Sequence, residues 1–520
     1  MNIRNYNVYT KLRVAILAIL NMLLRYKLET AFLMIIIAGS FVFFFRLDSP
    51  SILMWDESRQ AINALEMSTN HDYIVTYYDG EPDLFNTKPP LLIWFITVFM
   101  KVLGYNEIAV RLPSAISAMI TVIILFLFCA KRLDDLKAGI FSSFILISSV
   151  GFIGEHVART GDYDAMLVLW IVIFCFSYFA YLHADTARRQ HLCLTLTTAA
   201  LVLAVLTKGI AGLVCLPGVV LYTAWQKKLK SLLISPAFYL AAAVFLMITL
   251  GYYLLRDYQN PGYIQAVINN ELTGRYLNDL ETHYAEFWYY LKDILRFKFI
   301  PWIYVLPLCF VATQLSSNKK IINRIGIYAT LFLVCYLLVI SFSQTKLPWY
   351  DAPFYPMASL LIGLGISSTF DAVLNFNQIY NRHIRLCILG LLFTCTFSIP
   401  YLSVAYSTIY KNHGIIYGWS RPSNPQLKYG EYIKQLEIIH PEIKSYYVVN
   451  DDYNSHLLFY VKVANLKDRS IKIISSDQVS HTATPLVACD PTVKKQLEQR
   501  YNMSLIHSNH PCYTFHVKFF

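Results

Sequence analysis

Two short stretches of this chain concentrate carboxylates: Trp55-Asp56-Glu57-Ser58-Arg59, and Arg159-Thr160-Gly161-Asp162-Tyr163-Asp164. A carboxylate beside a binding cavity can take the proton of an attacking hydroxyl or phosphate acceptor. Each stretch also has a plainer reading. Asp56 or Ser58 suits a helix start, where capping groups and first-turn acids are favoured, and Asp162 and Asp164 suit a solvated loop. Lysines are spaced through later segments, in Thr87-Lys88-Pro89-Pro90, Leu206-Thr207-Lys208-Gly209 and Ser343-Gln344-Thr345-Lys346-Leu347-Pro348-Trp349-Tyr350. Cations and oriented donors are what phosphate recognition requires. Lys88 taken alone is an ordinary interfacial anchor. Lys208 stands in a turn between two apolar runs, with no room to act merely as a solubilising charge, so it is expected to face an anion.

The elements that position these groups are membrane helices. Of 520 residues, 56% are hydrophobic and 15% charged, too little charge for a soluble chain of this length. The apolar runs repeatedly reach the ~20 residues that cross a bilayer, and they are continuous rather than alternating, which argues against a barrel. Crossings are expected near 29–46, 112–130, 138–153, 165–183, 192–207, 209–225, 236–255, 301–315, 325–343, 353–370 and 384–404. The basic connections test this count: Arg25 and Lys27; Lys131, Arg132 and Lys137; Arg188 and Arg189; Lys227, Lys228 and Lys230; Lys319, Lys320 and Arg324; Arg382 and Arg385. They fall on alternate connections, as the positive-inside rule demands, and account for most of the net charge of +11 without nucleic acid. Both acidic stretches and the three lysine motifs then lie outside the cytoplasm, next to crossing ends. Residues 89–103 are short for a crossing and are placed along the outer interface. The basic, amphipathic segment Met1–Lys27 is placed on the cytoplasmic surface.

From about residue 422 the apolar runs shorten to Ser445–Val449, Ile471–Ile474, Leu486–Cys489 and Tyr513–Val517, separated by polar helical stretches at Gln426–Ile439 and Pro491–Arg500. This pattern is that of a small soluble α/β domain. The expected division is therefore a membrane domain over 1–421 and an extracytoplasmic domain over 422–520. Eight of the ten cysteines lie in membrane runs; Cys489 and Cys512 do not, and a disulfide between them is plausible in an oxidising compartment. No CxxC pair or His/Cys cluster suggests structural zinc.

These motifs, in this order, resemble the C-type glycosyltransferases (GT-C), and within them the group of lipid A aminoarabinose transferases and protein O-mannosyltransferases. The resemblance runs from about Leu53 to Ile362 and includes Arg111-Leu112-Pro113, Phe287-Trp288-Tyr289-Tyr290 and Pro301-Trp302. It implies an all-α polytopic protein of about 11–13 transmembrane helices in the bacterial inner membrane. Asp56 matches the first-loop catalytic carboxylate and Asp164 the second-loop acid, with Glu57, Asp162 and Glu271 in reserve. Arg59, Lys88, Lys208, Arg275, Lys346 and Tyr350 match positions that bind the donor phosphate or line its cavity. The implied donor is a sugar on a polyprenyl phosphate; the acceptor is a lipid such as lipid A, a protein or a glycan, and membrane lipids surround the site. Two positions depart from the aminoarabinose branch. Thr87 stands where a glutamate precedes the lysine, and Leu272 where a histidine follows the glutamate, so the metal held by those two side chains is expected to be absent. A transporter would instead show internal repeats and mid-membrane charges, and a glycan ligase or polymerase one dominant Arg-rich external loop.

Overall fold

The computed structural model describes residues 25–154, 156–277, 285–315, 320–375, 382–410, 424–479 and 484–519. Each of the expected crossings is a helix there. Among the described residues, seven helical stretches are long and apolar enough to span a bilayer: Lys27–Phe44, Glu107–Arg132, Asp164–Leu182, Ala187–Leu213, Pro236–Gln259, Lys320–Phe342 and Pro348–Val373. An eighth is Tyr289–Lys298 with Trp302–Leu315, bent by 102° at a break that includes Pro301, whose ring removes a backbone donor. The expected crossings 138–153 and 209–225 are shorter than drawn, Leu136–Ile147 and Leu216–Trp225. The first is interrupted at Ser148 and Ser149, whose hydroxyls turn back onto the carbonyls of Phe144 and Ile145, a competition with the helical ladder that side chains of this type commonly set up. The chain is thus a multi-pass membrane protein.

The helices pack on one another through a continuous apolar core running from Ala31 to Val404. Their outer faces carry exposed Leu, Ile, Phe and Tyr, as on Pro236–Gln259. Leu91–Leu103 divides similarly, with Leu92, Ile93 and Ile96 buried and Phe95, Val98 and Val102 exposed. Such an apolar outer face suits a helix lying against lipid.

The segment that follows the first membrane helix is not an open loop. Asp56–Asn70 is a helix, buried along most of its length, followed by a short ladder between Tyr77–Tyr78 and Glu81–Pro82. Its end is fixed by Arg59, whose guanidinium donates Nε to Asp83 Oδ2 at 2.9 Å and Nη2 to Oδ1 at 2.7 Å. The rings of Tyr78 and Phe85 lie 4.3 and 4.4 Å from that guanidinium.

The C-terminal sheet has five strands in the spatial order Ser470–Ile474, Ser445–Val449, Leu486–Ala488, Cys512–Phe519, Tyr501–Asn509. The first three are parallel and the last two antiparallel. Cys489 and Cys512 form a disulfide. Two elements go beyond the sequence expectation. Ser455–Asn465 is a helix although it reads as an apolar run, because a parallel strand pair needs a crossover and one face of it packs on Asp56–Asn70. Tyr501–Asn509 is a strand, largely exposed as an edge strand is, so it lacks the apolar alternation that marks a half-buried one.

Candidate active site

Glu57 and Arg111 form the hub that shapes the two acidic segments. Arg111 Nε donates to Glu57 Oε1 at 2.7 Å and Nη2 to Oε2 at 2.9 Å, with both side chains buried. The remaining guanidinium donors reach the carbonyls of Leu47, Pro50 and Ser51. Glu57 in turn accepts the backbone N–H groups of Leu53 and Gly161 at 2.7 and 2.9 Å. One ion pair therefore ties the end of the first membrane helix, the start of Asp56–Asn70 and the loop before Asp164–Leu182 together. A Cβ at Gly161 would stand 2.4 Å from Val110 Cγ1 and 3.0 Å from the Val110 carbonyl, so only glycine allows that approach. With every lone pair of Glu57 engaged, the neighbouring Asp56 is left as the acid facing outward, its side chain 44% exposed.

Asp162 and Asp164 point to different places. Asp164 opens the helix Asp164–Leu182, where a carboxylate is favoured by the helix dipole, and both its oxygens accept from Lys208 Nζ at 2.6 Å. Lys208 closes the helix Ala187–Lys208, the end that favours a cation, and Gly209 leaves it with φ +56°. Asp162 belongs to the loop before and turns the other way. Its Oδ2 is 3.3 Å from His156 Nδ1, and Asp56 Oδ2 is 3.7 Å from the same nitrogen. The His156 ring stacks on Trp349 with centroids 3.5 Å apart. Asp56, His156 and Asp162 each present one ligand-type atom, all within 4.8 Å of one another.

Near this cluster lies an open cavity, lined on its polar side by Lys88, Asp164, Lys208, Glu271, Ser343 and Tyr350. Its apolar wall comprises Leu167, Ile210, Val214, Val339 and Ile340. Lys88 Nζ is 3.9 Å from Glu271 Oε1, and Thr87 Oγ1 donates to that same oxygen at 3.0 Å. The Tyr350 ring lies 5.2 Å from Lys208 Nζ. The cavity thus combines two cations, each beside a carboxylate, with an apolar wall.

Of the cations expected at this place, Lys88 and Lys208 line the cavity and Arg59 does not: its guanidinium is committed to Asp83. Burial weighs against the Asp83 carboxylate, yet Arg59, Asn63 and the Asn86 backbone hold it below its ordinary range. Lys346 is buried and donates to the Ser343 carbonyl at 2.6 Å, and burial lowers its ammonium below the usual value. Arg275 falls in the irregular helix Ile268–Leu277, and its side chain lies outside the described residues. His156 was not singled out in the sequence. A lone histidine in a loop has no signal by itself; Asp162 follows it in the same loop, while Asp56 and the Trp349 ring come from two other segments.

The C-terminal α/β region is docked directly on this assembly. The Tyr460 hydroxyl accepts Ile52 N–H at 2.8 Å and donates to Glu107 Oε1 at 2.5 Å. Lys434 Nζ reaches the same carboxylate oxygen at 2.6 Å. Tyr453 stacks on Trp55, with centroids 4.1 Å apart. Trp55 has φ +68°, a conformation costly for a bulky side chain, and it immediately precedes Asp56.

Comparison with known proteins places this arrangement. The structure aligns with ArnT from Cupriavidus metallidurans, solved bound to undecaprenyl phosphate, with a TM-score of 0.67 and 17% identity over 93% of this chain and 97% of that one. The chain has the GT-C fold. The Archaeoglobus fulgidus oligosaccharyltransferase also shares the GT-C architecture, at a TM-score of 0.57 and 12% identity, covering 87% of this chain and 65% of that one. By sequence, the family described as dolichyl-phosphate-mannose-protein mannosyltransferase matches residues 87–253. That stretch includes Lys88, Asp164 and Lys208 of the cavity's polar wall. The undecaprenyl phosphate-alpha-4-amino-4-deoxy-L-arabinose arabinosyl transferase 1 of Pseudomonas fluorescens is 26% identical over 67% of this chain and 62% of its own length. The corresponding transferase 2 of Proteus mirabilis is 28% identical over 64% and 59%. The chain thus spans about three-fifths of the length of these curated relatives.

Proposed function

We propose that this protein is a membrane glycosyltransferase that moves a sugar from a polyprenyl phosphate to an acceptor at the outer face of the bacterial inner membrane. The observation that carries this reading is the cavity that Lys88 and Lys208 line together with Leu167, Val214 and Ile340, with the half-exposed Asp56 nearby. The phosphate of the donor enters between the two lysines, and the polyprenyl tail follows the Leu167, Val214 and Ile340 wall toward lipid. The acceptor approaches from the Asp56 side. Its oxygen attacks the anomeric carbon, the bond from that carbon to the phosphate oxygen breaks, and the acceptor proton passes to Asp56. Attack opposite the leaving phosphate inverts the anomeric centre. Lys88 and Lys208 stabilise the charge that develops on the departing phosphate, a source of rate that grows in a water-poor site. The similarity to undecaprenyl-phosphate aminoarabinose transferases supports the donor class; lipid A, a protein and a glycan are the acceptor classes compatible with it. In this reading the C-terminal domain is extracytoplasmic, covering the acceptor side.

Lipid co-purification tests the donor site. Lipids extracted from the purified protein and from Lys88→Ala are compared by mass spectrometry. Polyprenyl phosphate or its glycosylated form in the wild type, depleted in the variant, is the expected result. Bulk phospholipid alone in both would remove the donor reading and favour a transporter.

A further inference from the structure

The turn Pro348–Asp351 carries two rings that serve different places. Trp349 stacks on His156 with centroids 3.5 Å apart, while Tyr350 lines the cavity and lies 5.2 Å from Lys208 Nζ. The turn is a single 3₁₀ turn, a conformation with poor hydrogen-bond geometry of its own. Side chains from other helices take up its carbonyls. The Tyr290 hydroxyl donates to the Leu347 carbonyl at 3.2 Å, Lys298 Nζ to the Pro348 carbonyl, and the Tyr336 hydroxyl to the Tyr350 carbonyl at 2.8 Å. Lys298 is 3% exposed, and its Nζ also lies 2.9 Å from Asp351 Oδ2 and 2.9 Å from Asp293 Oδ2. Asp351 in turn accepts the Tyr355 hydroxyl at 2.8 Å. The Tyr355 ring packs against Gly151, where a Cβ would stand 2.2 Å from its hydroxyl oxygen.

We propose that Lys298 is a positioning residue: held between Asp293 and Asp351, it fixes the turn Pro348–Asp351 and so sets where Trp349 stands against His156 and Tyr350 against Lys208. An ammonium has three donors and no acceptor, and here three oxygens surround it, one from each aspartate and one from the turn itself. Burying a cation with two carboxylates is costly unless its donors are used in good geometry. The Pro348 carbonyl is the contact that ties this cluster to the turn; an ion pair that only compensated charge would not require it. The other lysines buried among the described residues have different partners, Lys208 the Asp164 carboxylate and Lys346 the Ser343 carbonyl. Lys298 touches neither the cavity nor the acid cluster directly, so it acts through the two rings. A shift of about 1 Å in groups that orient a substrate can cost roughly a hundredfold in rate. The effect on transfer rests on the donor reading proposed above, whereas the position of the rings does not.

Full-length protein in detergent, labelled with 5-fluorotryptophan, reports the turn through the fluorine resonance that disappears in Trp349→Phe. In Lys298→Met that resonance should shift, and undecaprenyl phosphate, titrated as the probe, should bind roughly tenfold more weakly. Tyr336→Phe removes only the hydroxyl on the Tyr350 carbonyl and leaves every charge in place. It should shift the same resonance to a smaller extent, so the test stands even if Lys298→Met folds poorly. Lys137→Met breaks the ion pair to Asp371, near the other end of the helix Phe354–Asn375 that follows the turn, and should change neither readout. An unmoved resonance in Lys298→Met, or an equal shift in Lys137→Met, would overturn the proposal. A shifted resonance with wild-type affinity for undecaprenyl phosphate would overturn it for Tyr350 and leave the cluster a structural feature. Failure of the wild type to bind undecaprenyl phosphate would refute the donor reading alone, because the fluorine signal still decides whether Lys298 places the turn.

Discussion

Replacing Lys208 with methionine should damage the protein twice, and the two effects can be separated. Lys208 Nζ lies 2.6 Å from both oxygens of Asp164, with side-chain exposures of 8% and 4%. At that distance the direct attraction is about 6 kcal/mol for an effective dielectric of about 20, largely offset by the desolvation of both groups. Lys208→Met keeps the desolvated carboxylate and removes its counter-charge, so the expected loss is roughly 3–5 kcal/mol. The unfolding temperature in detergent, followed by intrinsic fluorescence, should fall by several degrees. The double variant Asp164→Asn/Lys208→Met replaces the whole pair with neutral groups of similar size and should recover most of that stability. It should not recover transfer. A cation positioned on developing phosphate charge is worth about 10²–10³ in rate, so the double variant should be well folded and at least a hundredfold slower with a polyprenyl-phosphate sugar. Two results would refute the reasoning. Wild-type stability in the single variant would show that the pair does not compensate buried charge. Wild-type transfer in the double variant would remove Lys208 from the donor site and leave the pair a purely structural feature.

Asp56→Asn should leave the unfolding temperature within a degree or so of wild type, because the side chain is half-exposed, and lower transfer by about 10²–10⁴, the range for loss of a general base; full activity would exclude it. Tyr460→Phe removes the hydroxyl that joins Ile52 to Glu107 and leaves a buried carboxylate short of a donor, a cost of about 1–3 kcal/mol. Limited proteolysis should then release the C-terminal domain faster, and an unchanged cleavage rate would show that the contact does not hold it. The Arg59–Asp83 pair makes stability depend on pH with a defined sign. Asp83 is held below its ordinary value of 3.8, so its contribution is complete above that value and is lost as pH falls through the lower folded one. The gap in unfolding temperature between wild type and Asp83→Asn should be constant from pH 7 to about pH 5 and narrow in more acidic buffer; a gap that widens on acidification would contradict the assignment.

Helix placement was legible in the sequence because it is a local property. Apolar runs of spanning length and alternating basic connections depend on neighbours along the chain and on the bilayer, not on distant partners, and the helices fall where those signals stand. The strands Ser445–Val449, Ser470–Ile474 and Leu486–Ala488 were equally visible as short apolar runs. The Cys489–Cys512 pairing was a possibility that the structure made definite. What each charged group does was decided by tertiary structure. Asp162 and Asp164 differ by two positions and are chemically identical, yet a helix begins between them, sending one carboxylate to Lys208 and the other toward His156 and Asp56. Arg59 and Lys88 both read as cations of the first external segment, but Arg59 closes on Asp83 while Lys88 lines the cavity. Glu57 and Asp56 are adjacent, and only the arrival of Arg111 from another helix makes one structural and leaves the other exposed. Charge and type are carried by single residues, whereas pairing is set by side chains that only folding brings together, 24 positions apart for Arg59 and Asp83, 44 for Asp164 and Lys208, and 54 for Glu57 and Arg111.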